Sequence, residues 1–317
     1  MDNRNKIIEF MDKCNLDKSK NKCVSTWDFS TLYTKIPHVK LKDKMRKCIT
    51  KMFDINPDKE YITYNKKGGY AYYTKTLSKT HISFSCIDLI NNVDIIIDNS
   101  YVIYNDNVYR QIVGIPMGTN CAPFLANLFL HVYEYEYIES LIEDGNFEDA
   151  LALSKTYRYQ DDCICLNDGG CFRRHFLHIY PKEMVLDCTN ISQKVCTFLD
   201  LRISIFRGKF LYKSFDKRRD FEFKIIKYPN ISGNIPKSPS YGVYTSQLVR
   251  FCQINHNAGS FFSDVREMTN DFCKKGFLLE RLKTSYQAFG SKYLQKWAKY
   301  GVDITLPKNL NGIFSNS

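Results

Sequence analysis

Residues 155–167 read Lys-Thr-Tyr-Arg-Tyr-Gln-Asp-Asp-Cys-Ile-Cys-Leu-Asn. Strand-forming residues lie on both sides of the two acids, so the stretch reads as a tight hairpin with Asp161 and Asp162 at its turn. The strands are otherwise apolar or aromatic. Adjacent carboxylates in such a place resist joint ionisation, because each charge raises the cost of the other. A divalent cation removes that cost, and carboxylate oxygens are the hard ligands that Mg²⁺ takes. Asp-Asp pairs are common in solvated turns, which is the more frequent reason for one, so the reading depends on what surrounds it.

Upstream, Cys-Val-Ser-Thr-Trp-Asp-Phe-Ser (residues 23–30) reads as a strand ending at a third acid, Asp28. Residues 101–105 and 107–113 form a hairpin around Asp106. Gly-Ile-Pro-Met-Gly-Thr-Asn-Cys-Ala-Pro follows at 114–123 and runs into a long apolar helix over about 123–141. Proline suits a first helical turn, which supports that break. Downstream come a helix over about 172–180 and strands at Met-Val-Leu-Asp-Cys-Thr (184–189), residues 194–206 and residues 209–215. Before Asp28 stand a short helix over 1–13 and a polar turn at 17–22. After it, Val39, Leu41, Met45, Cys48 and Met52 share one helical face. Residues 65–69 (Asn-Lys-Lys-Gly-Gly) turn another hairpin, and 84–97 reads as a buried helix.

The 317 residues carry a formal charge of +11, unevenly spread. Residues 1–200 hold 25 Lys and Arg against 26 Asp and Glu, whereas 201–317 hold 20 against 8. The excess points to an anionic partner for the C-terminal third. Around residue 207 the sequence becomes basic and aromatic, and beyond the Pro-containing stretch 229–239 it becomes helical. Tyr241, Tyr244, Leu248 and Phe251 share a face, as do Phe261, Val265, Met268 and Phe272. Lys274-Lys275-Gly276 ends the second of these helices, and a third covers about 278–297. The sequence therefore reads as an α+β region over 1–206 followed by a basic, mostly helical region over 207–317.

A 15% aromatic content excludes disorder as the main state. No apolar run approaches the ~18 residues that span a bilayer, so no membrane partner is expected. The first residues are too polar for a secretory signal. The twelve cysteines contain no C-x-x-C pair, which excludes zinc-ribbon and thioredoxin patterns. They read as reduced, intracellular core fillers. Cys171, His175 and His178 are ligand types but belong to an amphipathic helix, Cys-Phe-Arg-Arg-His-Phe-Leu-His-Ile-Tyr.

The order of an acid at a strand end, Gly-x-Pro-x-Gly before a helix, and Tyr-x-Asp-Asp in a hairpin resembles the palm of reverse transcriptases. Residues 28–38 (DFSTLYTKIPH), 109–130 (YRQIVGIPMGTNCAPFLANLFL), 214–223 (SFDKRRDFEF) and 234–251 (NIPKSPSYGVYTSQLVRF) are similar to polymerases of Penelope-like retroelements, a likeness running from about 23 to 300. It implies a right-hand polymerase palm, an antiparallel sheet backed by helices, followed by a helical thumb. It implies an RNA-directed DNA polymerase acting on an RNA template, a DNA primer and deoxynucleoside triphosphates inside the cell, in the nucleus at the site of integration. Asp28, Asp161 and Asp162, with the Phe29 backbone carbonyl, would hold two Mg²⁺ ions, with Mn²⁺ as a substitute. Tyr33 matches the residue that polices the sugar 2′-hydroxyl. Gly114, Pro116, Met117 and Gly118 would shape the template–nucleotide pocket, and Tyr159 and Gln160 would lie beside the primer terminus. Residues 196–203 (CTFLDLRI) resemble the primer grip. Arg207, Lys209, Lys213, Lys217, Arg218 and Arg219 would track phosphates, with Tyr212, Phe215, Phe221 and Phe223 in the core. Lys182 and Lys194 are both candidates for the lysine that protonates pyrophosphate.

Three features depart from the family pattern. Only 27 residues precede Asp28, and Lys6, Lys13, Lys18, Lys20 and Lys22 there form no recognisable fingers motif. The expectation is a palm with residual fingers elements, whose missing part is truncated or supplied by a partner. The alternative is a catalytically inactive, N-terminally truncated nucleic-acid-binding remnant. Met117 stands where many reverse transcriptases have Gln. No GIY-YIG nuclease module is visible: Tyr241-Gly242-Val243-Tyr244 echoes it only on a helix, so an endonuclease partner is left open.

Overall fold

Short turns with positive φ break the chain into hairpins, and apolar helices bury one side of the four-stranded sheet, whereas the two-stranded ribbon stays exposed. The structure is a computed structural model that describes residues 3–17, 23–190, 192–223, 225–298 and 313–314. Lys18, Lys20 and Lys22 lie outside the described residues. In chain order the elements begin with α1 (Asn3–Leu16), β1 (Val24–Phe29), α2 (Leu32–Lys35), α3 (His38–Asp54), β2 (Tyr61–Asn65), β3 (Tyr70–Thr74) and β4 (Ile82–Phe84). There follow α4 (Cys86–Asp98), β5 (Tyr101–Tyr104), β6 (Asn107–Arg110), α5 (Ala122–Glu143), α6 (Phe147–Leu153), β7 (Thr156–Tyr159), β8 (Asp162–Leu166) and α7 (Cys171–Ile179). The last are β9 (Leu186–Cys188), β10 (Val195–Phe198), β11 (Leu201–Phe206), β12 (Lys209–Ser214), α8 (Lys237–Ile254), α9 (Ala258–Lys274) and α10 (Leu279–Ala298). This is the α+β class expected from the sequence, with antiparallel pairings in all four sheets.

The chain divides into two compact units. The first, Ser25–Thr189, holds a four-stranded sheet of order β7-β8-β1-β9, a three-stranded sheet β3-β2-β4 and the ribbon β5-β6. Trp27 and Phe29 sit two apart on β1 and face its core. Trp27 meets Phe172 and Phe176 at ring-centroid distances of 5.5 and 5.1 Å, and Phe29 meets Tyr180 edge-on at 4.9 Å. Helix α5 buries Leu125, Ala126, Phe129 and Leu130 against the same core.

Two helices differ from the sequence reading. α3 buries Leu41, Met45, Ile49 and Lys44, whereas Val39 is 83% exposed and Met52 lies at the surface. The stripe turns toward Lys44 because its ammonium pairs with Glu136 and lies over the Tyr133 ring, both on α5. That environment also pushes the Tyr133 hydroxyl up to about 12, through burial and then the Glu136 charge. The helix expected to be buried over 84–97 is α4, which buries only Ile97 and leaves Ile87 and Ile95 exposed. It packs beside α3 along one stripe, and Phe84 belongs to β4 instead. A Ser85–Asp88 capping box starts α4.

The second unit joins Met1–Val24 to Asn190–Ser317. Its sheet is the meander β10-β11-β12. The boundary expected at 206/207 falls inside the β11–β12 hairpin, where pairs from Leu201↔Ser214 to Phe206↔Lys209 lock the strands together. Arg207 and Gly208 make its turn with φ of 49° and 74°, the double positive that a type I′ hairpin needs. Helix α1 belongs to this unit: Arg4 pairs with Asp200 at 2.5 Å, and the Tyr212 hydroxyl donates to Asp12 at 3.0 Å. Helices α8 and α9 bury the two faces read from the sequence, joined by a 2.8 Å hydrogen bond between Tyr244 and Thr269. Phe221 and Phe223, expected in the core, are exposed and pack on each other. Charge divides with the fold. The second unit carries 27 Lys and Arg against 13 Asp and Glu; the first carries 18 against 21. Among the described residues, no helix is long and apolar enough to cross a membrane.

Phe129 has no exposed surface, so Phe129→Ala should cost about 3–5 kcal/mol. The check is a lowered urea midpoint at unchanged slope; a midpoint within error of the parent would contradict this core.

Candidate active site

Asp161 and Asp162 owe their position to a hairpin with almost no loop. Tyr159 pairs with Asp162, so only Gln160 and Asp161 turn the chain. Gln160 adopts φ of +55°, in the left-handed region that side chains other than glycine rarely enter. β8 then buries Cys163, Ile164, Cys165 and Leu166, which anchors the turn from one side.

The third acid comes from the neighbouring strand. The Phe29 N–H donates to the Asp161 carbonyl at 3.0 Å, so the end of β1 is bonded to the turn itself. Trp27 and Phe29 face the core, and strand alternation sends Asp28 to the opposite face, where it is half-buried. On the other side of β1, Asp187 of β9 stands in register with Asp28. Like charges directly opposite are destabilising. Asp187 was missed by the sequence reading. It stands out as the lone acid of an apolar strand, but only the β1–β9 register brings it to Asp28. All four acids keep some exposure, and their oxygens suit a hard cation such as Mg²⁺.

The glycine loop is tied to the segment after Asp28. Gly114 N–H donates to the Ile36 carbonyl at 2.8 Å, and Ile115 N–H to the Tyr33 carbonyl at 2.7 Å. A ring nitrogen of His38 lies 2.7 Å from the Gly114 carbonyl. Gly114 has φ of +79°, and a Cβ there would lie 2.4 Å from the Tyr33 carbonyl oxygen, so both conformation and space demand glycine. The Pro116 carbonyl accepts from the Thr119 N–H at 3.1 Å and its hydroxyl at 3.0 Å, closing the turn that leads to α5. Met117 is exposed, and Gly118 has open space around it. Half-buried Tyr33 has its hydroxyl pKa raised by burial first, then by the nearby Asp161 and Tyr159. Asp28, the glycine loop and the acidic turn thus lie together: the Phe29 amide joins the first to the turn, and the Tyr33 backbone carries the loop while its hydroxyl feels the Asp161 charge.

One residue the sequence reading passed over holds the turn. The Arg158 side chain is 8% exposed and pairs with Glu134 of α5 through Nε at 2.5 Å and Nη2 at 3.1 Å. Its Nη1 donates to Asn127 Oδ1 at 2.6 Å and to the Gln160 carbonyl at 3.2 Å. The Tyr180 hydroxyl donates to Glu134 at 2.9 Å, completing the network. A lone cation in a strand of neutral residues was the available signal; its partner Glu134 is one of several acids along α5.

In the second unit, Arg207, Lys209, Lys213 and Lys217 are exposed. Lys213 stands opposite Arg202, also exposed and not singled out from the sequence. Arg218 is committed to Asp216 at 2.5–3.1 Å and to the Ile225 carbonyl at 3.1 Å, and Arg219 pairs with Glu267. Lys182 and Lys194 fall in different units.

No protein-family model and no curated protein matches the sequence. Among solved structures the chain is similar to telomerase from Candida albicans in complex with a TWJ fragment of telomeric RNA, at 11% identity and a TM-score of 0.48, over 95% of this chain and 54% of that one. It is also similar to apo telomerase from Candida tropicalis, at 13% identity and a TM-score of 0.47, over 93% of this chain and 49% of that one. The chain spans about half the length of these telomerase chains.

Gly114→Ala should destabilise the first unit by at least about 1–2 kcal/mol, from the left-handed backbone alone. Arg158→Met should cost about 3–5 kcal/mol by stranding the Glu134 carboxylate, and adding Glu134→Leu should recover part of the loss. Urea midpoints of the three proteins test this; no recovery in the double variant would contradict the pairing.

Proposed function

We propose that the chain is an RNA-directed DNA polymerase of the Penelope-like type, extending a DNA primer on an RNA template from deoxynucleoside triphosphates. On this reading the first unit is the palm, the second contains the primer grip and thumb, and the place of action is the nucleus at an integration site. The observation that carries the reading is the meeting of three distant segments: the β1 end at Asp28, the loop at Gly114, and the turn at Asp161 and Asp162.

Asp28, Asp161 and Asp162 would hold two Mg²⁺ ions, with the Phe29 carbonyl as a further ligand. Such a pair, when bound, lowers the pKa of a primer 3′-hydroxyl and offsets the charge of the triphosphate and departing pyrophosphate. The chain's own residues position and exclude. Tyr33, half-buried and within the electrostatic reach of Asp161, would obstruct a sugar 2′-hydroxyl. Gly114, Pro116, Met117 and Gly118 give a nucleotide and its template partner a wall without bulky side chains, apart from exposed Met117. The exposed ring of Tyr159 and the strained Gln160 flank the primer end. Arg158, through the Gln160 carbonyl, keeps the turn fixed while charge changes around it. Lys209, Lys213, Arg207 and Lys217 supply exposed cations for phosphates, and Arg218 and Arg219 serve structure first.

Primer extension on an RNA template with Mg²⁺ tests the reading. Asp161→Ala should lower the rate by about two to three orders of magnitude, the scale of losing one transition-state electrostatic contact. Tyr33→Ala should raise ribonucleotide incorporation relative to deoxynucleotide. Equal extension by the parent and Asp161→Ala would overturn the mechanism. Salt-sensitive duplex binding without extension at any nucleotide concentration would select the inactive remnant.

A further inference from the structure

Away from the acidic turn, α6 and α7 bring together three side chains of metal-ligand type. Cys171 and His175 are one turn apart on α7 and project from the same face. Asp149 of α6 faces both. Its Oδ1 is 3.3 Å from Cys171 Sγ, its Oδ2 is 3.0 Å from His175 Nε2, and the ligand atoms of the three all lie within 4.8 Å of one another. The sequence showed Cys171, His175 and His178 as ligand types but read them as parts of an amphipathic helix; His178 is exposed and outside the cluster. Its place is taken by an acid from α6, a helix the sequence reading did not find.

The surroundings point the same way. The other ring nitrogen of His175, Nδ1, lies 2.6 Å from the hydroxyl of Tyr137 on α5. Metal-bound imidazoles are commonly oriented in this manner, by a partner on the nitrogen that does not bind. Asn146 holds Asp149 from behind, donating to its Oδ2 at 3.0 Å. Cys171 is buried, while the side chains of His175 and Asp149 remain 15% and 24% exposed, which leaves a way in.

We propose that Asp149, Cys171 and His175 bind one thiophilic divalent cation, Zn²⁺ by preference, and so fasten α6 to α7. Sulfur, imidazole nitrogen and carboxylate oxygen form a donor set that Zn²⁺ accepts, with a fourth position left for water. Mg²⁺ disfavours thiolate and stays with oxygen donors, so this site and the acids at Asp161 select different ions. In the present arrangement a thiol proton and an imidazole proton occupy the space between the ligands. On binding, the Cys171 thiol proton leaves to solvent and the sulfur bonds the metal. His175 stays neutral and moves its proton to Nδ1, donating to the Tyr137 hydroxyl oxygen, which frees Nε2 for the metal. Arg174 lies 3.1 Å from Asp149 Oδ1 but is 58% exposed, so it can turn to solvent. Helix α7 also carries Phe172 and Phe176, which pack on Trp27 beside Asp28. The cation would therefore brace the sheet under the acidic site without touching it.

The test uses the full chain, stripped with chelator and titrated with Co²⁺. One equivalent should produce a thiolate-to-cobalt charge-transfer band, Zn²⁺ should abolish it by displacement, and millimolar Mg²⁺ should leave it unchanged. His175→Gln and Asp149→Asn should lose most of the band, and Cys171→Ser all of it, with far-UV circular dichroism of the parent retained. Thermal unfolding of the parent should rise with added Zn²⁺, and that rise should vanish in His175→Gln. No band in the parent, or an undiminished band in both His175→Gln and Asp149→Asn, would overturn the site. These readouts do not involve polymerisation, so they fail or succeed independently of it.

Discussion

The N–H of Phe29 and the carbonyl of Asp161, 3.0 Å apart, join two strands that are more than a hundred residues distant in the chain. The register they set cannot slip. Strand side chains alternate with a period of two, so a shift of one residue would push Trp27 and Phe29 out of the core and drive Asp28 into it. The ring contacts to Phe172, Phe176 and Tyr180 hold the apolar side of that choice. The acidic side follows as a consequence, with Asp28 set between Asp187 on one flank and the Asp161–Asp162 turn on the other. A gathering of carboxylates is thus produced by burial of aromatics behind it, at an electrostatic cost that a bound divalent cation would remove.

Two supports keep that arrangement in place. Gly114 lets the following loop approach the Tyr33 backbone more closely than any side chain would allow, and two amide hydrogen bonds fasten it there. Arg158 binds the hairpin to α5 and reaches the carbonyl of Gln160, the residue whose backbone is strained. Strain of this sort persists only where the surroundings over-determine it. The buried pair of Arg158 and Glu134 is that surrounding. Losing Glu134 would leave the buried Arg158 charge without its counter-ion, and losing Arg158 would leave Glu134, a quarter exposed, with the Tyr180 hydroxyl alone.

Much of this was legible in the residues. The hairpins announced themselves through the strands around Asp161-Asp162 and Asp106, although the first turns one residue earlier than read, at Gln160-Asp161, because Asp162 already pairs with Tyr159; Gly276 marked the end of α9. The faces of α8 and α9 followed from their spacing. What failed has a common physical origin, in that it depended on partners far along the chain. Lys44 turns the buried stripe of α3 because Glu136 and Tyr133 face it, and α4 is apolar yet packs along one stripe only. The register that sets Asp187 opposite Asp28 and Lys213 opposite Arg202 is invisible to local pattern. The change of composition at residue 207 coincides with a hairpin turn, whereas the compact units part at 24/25 and 189/190. The separation of charge is sharper between the units than across residue 200, because residues 1–24, with six cations against four acids, belong to the basic unit.

The central claim is that Asp28 and the Asp161–Asp162 turn bind the same divalent ions. Replacing Mg²⁺ by Fe²⁺ and initiating hydroxyl-radical cleavage with ascorbate and peroxide reads this out on the backbone. The account predicts cuts at both segments, around residue 28 and around residues 161–162, suppressed together by excess Mg²⁺ and lost together in Asp161→Ala. Cleavage at only one of the two segments, or at neither, would contradict it.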